Sequence, residues 1–283
     1  MILLLLLSAC GGQPSWPEER PAEACAAGAI EAGERTLRFR SAGRVRQALV
    51  WVPPGPGPHD VVVLMHSYRG EPGWQARYTG WIEHAAEANA LLVAPDGVTA
   101  TWNAGACCGK ARERQVDDVA FLDDLVARLD ETACTSGRVL ATGLGNGAMM
   151  AHRWACESET PDALVAVGGG LQRLRCRQER AIPMLQYDVP GDVRSEDGRP
   201  TADGLEAWRV RNQAGEVTRI EDGGLSCLVH EGDAPLAWCT ITGAGPGWPG
   251  AGDLPPGGEH PLWEATGGGW GWASEAWRVA AGD

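Results

Sequence analysis

Three glycines at alternate positions, Gly143, Gly145 and Gly147, punctuate the stretch "RVLATGLGNGAMMAHRWACE". "RVLATG" reads as a buried strand and "GAMMAHRWACE" as a helix, so the glycines fall at a strand-to-helix corner. With serine at its centre, as G-x-S-x-G, such a corner is a device for nucleophilic attack. Small flanking residues let the backbone turn sharply, and the central hydroxyl projects over the helix start. The free N–H groups there receive the charge that develops on a carbonyl oxygen. Here the central residue is Gly145, which has no atom to attack a carbonyl or form an acyl intermediate. Glycine also adopts the strained backbone of such a corner without penalty.

Replacement chemistry has to be sought elsewhere. Ser67, closing "DVVVLMHS", reads as a turn serine; as a transplanted nucleophile it would need a base within about 3 Å. His66 reads as a buried structural residue bonded to neighbouring backbone. His260, in "PPGGEHPLW", is the better candidate base, yet a base without a nucleophile leaves only direct attack by water. His84 and His152 fall on helices as surface or packing residues, and His230 falls in the strand that carries Cys227. Asp117 and Asp118 open a helix, where carboxylates meet the positive end of the backbone dipole, and both are expected to cap it. No spaced oxygen-ligand loop accompanies them, so calcium binding is not favoured. Trp102, Trp248, Trp263, Trp270 and Trp272 sit in glycine-rich loops instead of on periodic apolar faces. Such residues either stack on sugars and aromatic acids or anchor a loop by packing. Trp102 and Trp248 are therefore, with His260, candidate ligand contacts.

The elements that must position these residues alternate along the chain. "RVRQALVWVPP", "DVVVLMH", "LLVAPDG", "GRVLATG", "ALVAVGG" and "AIPMLQY" read as strands, most of them nearly continuous apolar runs buried on both faces. Between them, a helix ends near Asn89 and another spans "QVDDVAFLDDLVARLDE", with Val116, Val119, Ala120, Leu122, Leu125, Val126 and Leu129 at helical spacing. Further helices are read over "GAMMAHRWACES" and, at most, Ala202 to Gln213. Short strands alternating with helices predict an α/β protein whose mostly parallel sheet is covered on both faces. With 283 residues, 44% of them hydrophobic, and no long internal linker, a single domain over 36–283 is expected.

The formal charge of -13 argues against a nucleic-acid partner, because phosphate backbones require compensating cations. "MILLLLLSAC" carries too few apolar residues to span a bilayer; its Ser-Ala-Cys ending resembles the cleavage box of bacterial lipoproteins. Residues 1–9 then form a signal peptide, Cys10 becomes the acylated first residue, and 10–35 form a flexible tether. A fragment of an ordinary secretory signal is the rival reading. The expected location is the cell envelope, on its periplasmic or extracellular face, with the lipid membrane as partner. Setting Cys10 aside leaves eight cysteines, an even number suited to disulfides in an exported chain. Cys227 and Cys239 flank "HEGDAPLA" and meet if the flanking stretches form a hairpin. Adjacent Cys107 and Cys108 are expected to pair elsewhere because a bond between neighbours is strained. No CxxC pair supports a metal site, and no cofactor is expected.

Several segments in order, "DVVVLMHS", "YTGWIEHAAEANALLVAPDGV", "WNAGACCG", "VDDVAFLDDLVARL", "RVLATGLGNGAMMAHRWACE" and "GAGPGWPG", resemble the secreted α/β-hydrolases of the poly(3-hydroxybutyrate) depolymerase and feruloyl esterase type. The resemblance runs from about Arg44 to Gly250 and implies an α/β-hydrolase fold. It also implies a serine–aspartate–histidine triad, with the serine position at Gly145, the histidine position at Pro246 and the acid at Asp192. The oxyanion donors it implies are the amides of Ser67 and Asn146. Attacker and base are both missing, so the expected protein is a lipid-anchored, non-catalytic relative that binds a polyester or polysaccharide in the old cleft. The alternatives are a residual or rewired ester hydrolase and a structural envelope lipoprotein.

Overall fold

The computed structural model describes residues 30–172, 176–177, 179–188, 201–222, 225–241 and 248. In chain order the elements are β1 (Gly33–Ser41), β2 (Arg44–Val52), β3 (His59–Met65), α1 (Pro72–Tyr78), α2 (Trp81–Glu87), β4 (Leu91–Pro95), α3 (Gly109–Glu113), α4 (Asp118–Thr132), β5 (Thr135–Leu144), α5 (Asn146–Glu157), β6 (Ala163–Val167), β7 (Met184–Asp188), α6 (Thr201–Arg211), β8 (Val217–Asp222), β9 (Leu225–His230) and β10 (Leu236–Ile241).

β3 shows how the sequence builds the layers. Three consecutive valines stiffen the backbone toward the extended form, and successive side chains alternate in direction. Val61, Val63 and Met65 pack with Phe121 and Leu125 of α4 and Trp154 of α5. Val62 and Leu64 pack with Ala76 of α1 and with Trp81 and Ala85 of α2. Apolar residues on both faces are thus required, and helices cover both.

The ten strands run β1-β2-β4-β3-β5-β6-β7-β10-β9-β8. From β4 to β10 each neighbouring pair is parallel, and the pairs at the two ends, β1–β2 and β2–β4, β10–β9 and β9–β8, are antiparallel. Met65 pairs with Gly143, Leu144 with Val167, and Val167 with Tyr187, so the carboxyl ends of β3, β5, β6 and β7 form one row. In open parallel sheets this edge is where sites assemble.

Some local readings require correction. The helix expected to end near Asn89 is two: α1 stops at Tyr78, and Gly80, at φ 70°, redirects the chain into α2. Among the described residues the first strand begins at Gly33, where β1 pairs with Val52, so residues 33–35 of the stretch read as tether lie in the sheet. Asp117 caps α4 by accepting from the Ala120 N–H at 3.1 Å. Asp118 does not cap; it is buried and accepts from Arg46 and from the Asn103 N–H, both at 2.8 Å.

Cys227 and Cys239, cross-strand partners on β9 and β10, are joined, and Cys156 at the end of α5 is joined to Cys176. Cys107 bonds its neighbour Cys108, contrary to the expectation that each pairs elsewhere. Cys107 O accepts from Ala104 N–H, Cys108 N–H donates to Trp102 O, and both residues are packed with Ala104 and Met149.

Candidate functional site

The corner between β5 and α5 keeps the shape of a nucleophile turn. Gly145 sits at φ 55°, ψ -114°, outside the regions open to side-chain-bearing residues, and immediately precedes α5. Its N–H donates to Val167 O at 2.9 Å, and its carbonyl accepts from Met149 N–H at 2.9 Å. The three glycines serve different needs. A Cβ on Gly143 would lie 2.6 Å from the Gly147 carbonyl carbon and 2.7 Å from Met65 O, and one on Gly147 would overlap Met65 O. Close passage of β3 across the corner therefore requires both. Among the described residues, a Cβ on Gly145 meets nothing nearer than Gly168 O at 3.8 Å and Ser67 Cβ at 4.0 Å, so none of them stands where a side chain would.

Around that space the polar groups are largely engaged with one another. Asn146, the first residue of α5, accepts from Trp102 N–H at 2.7 Å and donates to Trp102 O at 3.1 Å. The Trp102 indole N–H donates to His66 O at 3.0 Å, and its ring is fully buried. Trp102 is therefore a core anchor, which corrects its reading as a ligand contact: its glycine-rich surroundings reflect tight packing, not exposure. His66 Nδ1–H donates to Ser67 O at 2.8 Å while Nε2 accepts from Gly97 N–H at 3.0 Å. Burial lowers its pKa, so the ring is neutral and structural.

Of the two amides implied as oxyanion donors, that of Ser67 is bonded to Gln75 Oε1 at 3.3 Å. The amide of Asn146 has no hydrogen-bond partner among the described residues, and neither has that of Tyr68, the residue after Ser67. Tyr68 was not singled out by sequence; the signal available was its place three residues beyond the end of the core strand β3.

Tyr68 Cε2 lies 3.0 Å from where a Gly109 Cβ would stand, beside the Cys107–Cys108 loop, and Cys108 Sγ lies 3.9 Å from Met149 Sδ in the first turn of α5. Trp74 stacks on Tyr78 with ring centroids 4.5 Å apart. Trp248 donates its N–H to the Tyr78 hydroxyl at 3.4 Å and packs edge-on against Trp81 at 6.2 Å. At 6% exposure Trp248 is also a packing anchor, a second correction. It stands two residues after Pro246. Pro246, Asp192, His260 and Cys10 lie outside the described residues. The carboxylate described at the end of β7 is Asp188, which accepts from Trp238 Nε1–H at 2.9 Å and Gln186 Nε2–H at 3.4 Å. His230 lies on β9 and is buried, with neither ring nitrogen hydrogen-bonded. Among the described residues no three histidine, cysteine or acidic side chains converge as a metal site, and no helix is long and apolar enough to cross a membrane.

The structure is similar to an acetyl xylan esterase from Aspergillus awamori, with a TM-score of 0.55 at 12% identity over 75% of this chain and 94% of that one. The chain has the α/β-hydrolase fold. An enterochelin esterase from Shigella flexneri is similar with a TM-score of 0.52 at 10% identity, over 94% of this chain and 61% of that one. No protein-family model matches the sequence, and no curated protein is similar to it. A strand-to-helix corner of this shape can present a nucleophile at its centre; the residue at the centre of the β5–α5 corner is Gly145.

Proposed function

We propose that this protein is a non-catalytic relative of the secreted poly(3-hydroxybutyrate) depolymerases and feruloyl esterases, held at the cell envelope through acylated Cys10, and that the former catalytic cleft binds a polyester or glycan chain. One observation supports the reading: the corner is built, with its flanking glycines in close contact with β3, while no described residue comes within 3.8 Å of where a Gly145 Cβ would stand. Loss of the nucleophile alone from a serine triad removes about 10⁶ in kcat. The resemblance places Pro246 where the proton-accepting histidine belongs, and the two losses fall on groups that act as one unit.

The test is a fluorophosphonate labelling experiment paired with a short-chain ester assay on the purified full chain. The expected result is no covalent label and no turnover above that of the heat-unfolded protein. Labelling, or rapid turnover abolished by a serine-reactive inhibitor, overturns the proposal. Sedimentation with insoluble poly(3-hydroxybutyrate) and insoluble polysaccharide then reads the binding half, and retention by neither favours a purely structural role.

A further inference from the structure

Tyr68 is 44% exposed and Trp74 51%; they are the exposed aromatic residues among the described large apolar side chains, and both belong to the segment that leaves β3 beside the corner. Trp74 is held as a platform. Its ring lies nearly parallel to Tyr78, at 12° and 4.5 Å, so one face is supported. Both oxygens of Glu71 cap α1, accepting from Gly73 N–H at 2.9 Å and Trp74 N–H at 2.5 Å, which fixes the backbone that carries the indole. Tyr78 is in turn tied to Trp248.

Two cations accompany the rings. The Arg69 guanidinium lies 5.4 Å from the Tyr68 ring centre, and Arg77 Nη2 stands over Gly73, 3.2 Å from where a Cβ would be. Both arginines are exposed, and neither forms an ion pair among the described residues. This occurs in a chain with 37 acidic residues against 24 basic ones, and the carboxylate nearest at hand, Glu71, is engaged in capping. The segment reaches the corner at one end, where Ser67 Cβ, adjacent to Tyr68, lies 4.0 Å from where a Gly145 Cβ would stand.

Resting on the reading of the cleft as a binding cleft, we propose that this segment binds an anionic polysaccharide, a chain of uronic-acid rings. A pyranose face stacks on Trp74, the carboxylates pair with Arg69 and Arg77, and the chain continues past Tyr68 toward Gly145. Planar guanidinium groups match carboxylates in two-point contact, and an indole face suits the C–H side of a sugar ring. An aliphatic polyester offers neither a ring for the indole nor a charge for the arginines.

The experiment is calorimetric titration of the full chain with oligogalacturonate, with neutral xylo-oligosaccharide and poly(3-hydroxybutyrate) granules as parallel probes. Oligogalacturonate is expected to bind, with affinity that falls as salt rises. Trp74→Ala is expected to weaken it about tenfold or more, and the Arg69→Gln/Arg77→Gln variant to weaken uronate binding far more than neutral-sugar binding. All three side chains are exposed, so melting temperature and near-ultraviolet circular dichroism should confirm that the variants fold. Absence of uronate binding, or equal affinity in Trp74→Ala, overturns the proposal. Binding of polyester but not uronate overturns it and leaves the preceding reading standing. Serine labelling or ester turnover overturns the preceding reading, and uronate binding lost in Trp74→Ala would still support this one.

Discussion

The side-chain amide of Asn146 brackets the peptide of Trp102, accepting from its N–H at 2.7 Å and donating to its carbonyl at 3.1 Å. The residue that follows Gly145 thus clamps the loop that carries the Cys107–Cys108 bond. Asn146→Ala leaves a buried N–H unpaired and is expected to destabilise by about 2 kcal/mol. Asn146→Asp sets a carboxylate against the Trp102 carbonyl and should be worse. Urea unfolding reads both, and hydrogen exchange at residues 102–108 should rise in each.

The glycine corner predicts an asymmetry. Gly147→Ala drives a methyl into Met65 O and is expected to destabilise by more than about 3 kcal/mol or prevent folding. Gly145→Ala meets no close neighbour among the described residues and opposes only the backbone conformation, a penalty of about 1–3 kcal/mol. Equal melting temperatures for the two variants would contradict this division of roles.

Asp118 and Arg46 form a buried pair at 2.8 Å, with the guanidinium 3.6 Å above the Phe121 ring. Burial pushes the Asp118 carboxyl upward, and Arg46 pulls it back. Asp118→Asn leaves the arginine charge uncompensated and is expected to destabilise by about 3–5 kcal/mol. Asn103 N–H, which donates to the other Asp118 oxygen, should exchange faster.

His152 gives a pH dependence with a definite sign. Trp208 Nε1–H donates to its Nδ1 at 2.9 Å, and its Nε2–H donates to Gln186 Oε1 at 2.8 Å. Burial lowers the pKa from 6.5 to about 4, so on acidification the unfolded chain takes up this proton first. The stabilisation from neutral His152 is complete above pH 6.5 and is lost as pH falls toward 4, by about 3 kcal/mol in all. The unfolding free energy of wild type minus that of His152→Leu should shrink by about that amount between pH 7 and pH 4. A constant difference would sink the assignment.

The parallel core was legible because β3, β4 and β6 are apolar runs that only a two-sided burial explains. The flanking β1 and β8 were not. "GERTLRFRS" and "VTRIED" are half solvent-facing edge strands whose charges resemble those of a tether or loop. Gly80 hid the break between α1 and α2, since an isolated glycine does not announce its φ. The corner at Gly145 was read correctly as a turn from its spacing and context. Its surroundings were not: Trp102 and Trp248 are buried anchors, while Tyr68 and Trp74 carry their exposure only in three dimensions. Asp118 differs from Asp117 by 100° of helix rotation, which sends one carboxylate to the cap and the other to Arg46.

Serine and glycine are encoded by codons that can differ by a single base. A hydroxymethyl group at Gly145 would meet no clash among the described residues, and its cost would be the strain of a side chain at φ 55°, ψ -114°, about 1–3 kcal/mol. Gly145→Ser would therefore set a hydroxyl at the start of α5 without displacing any described neighbour.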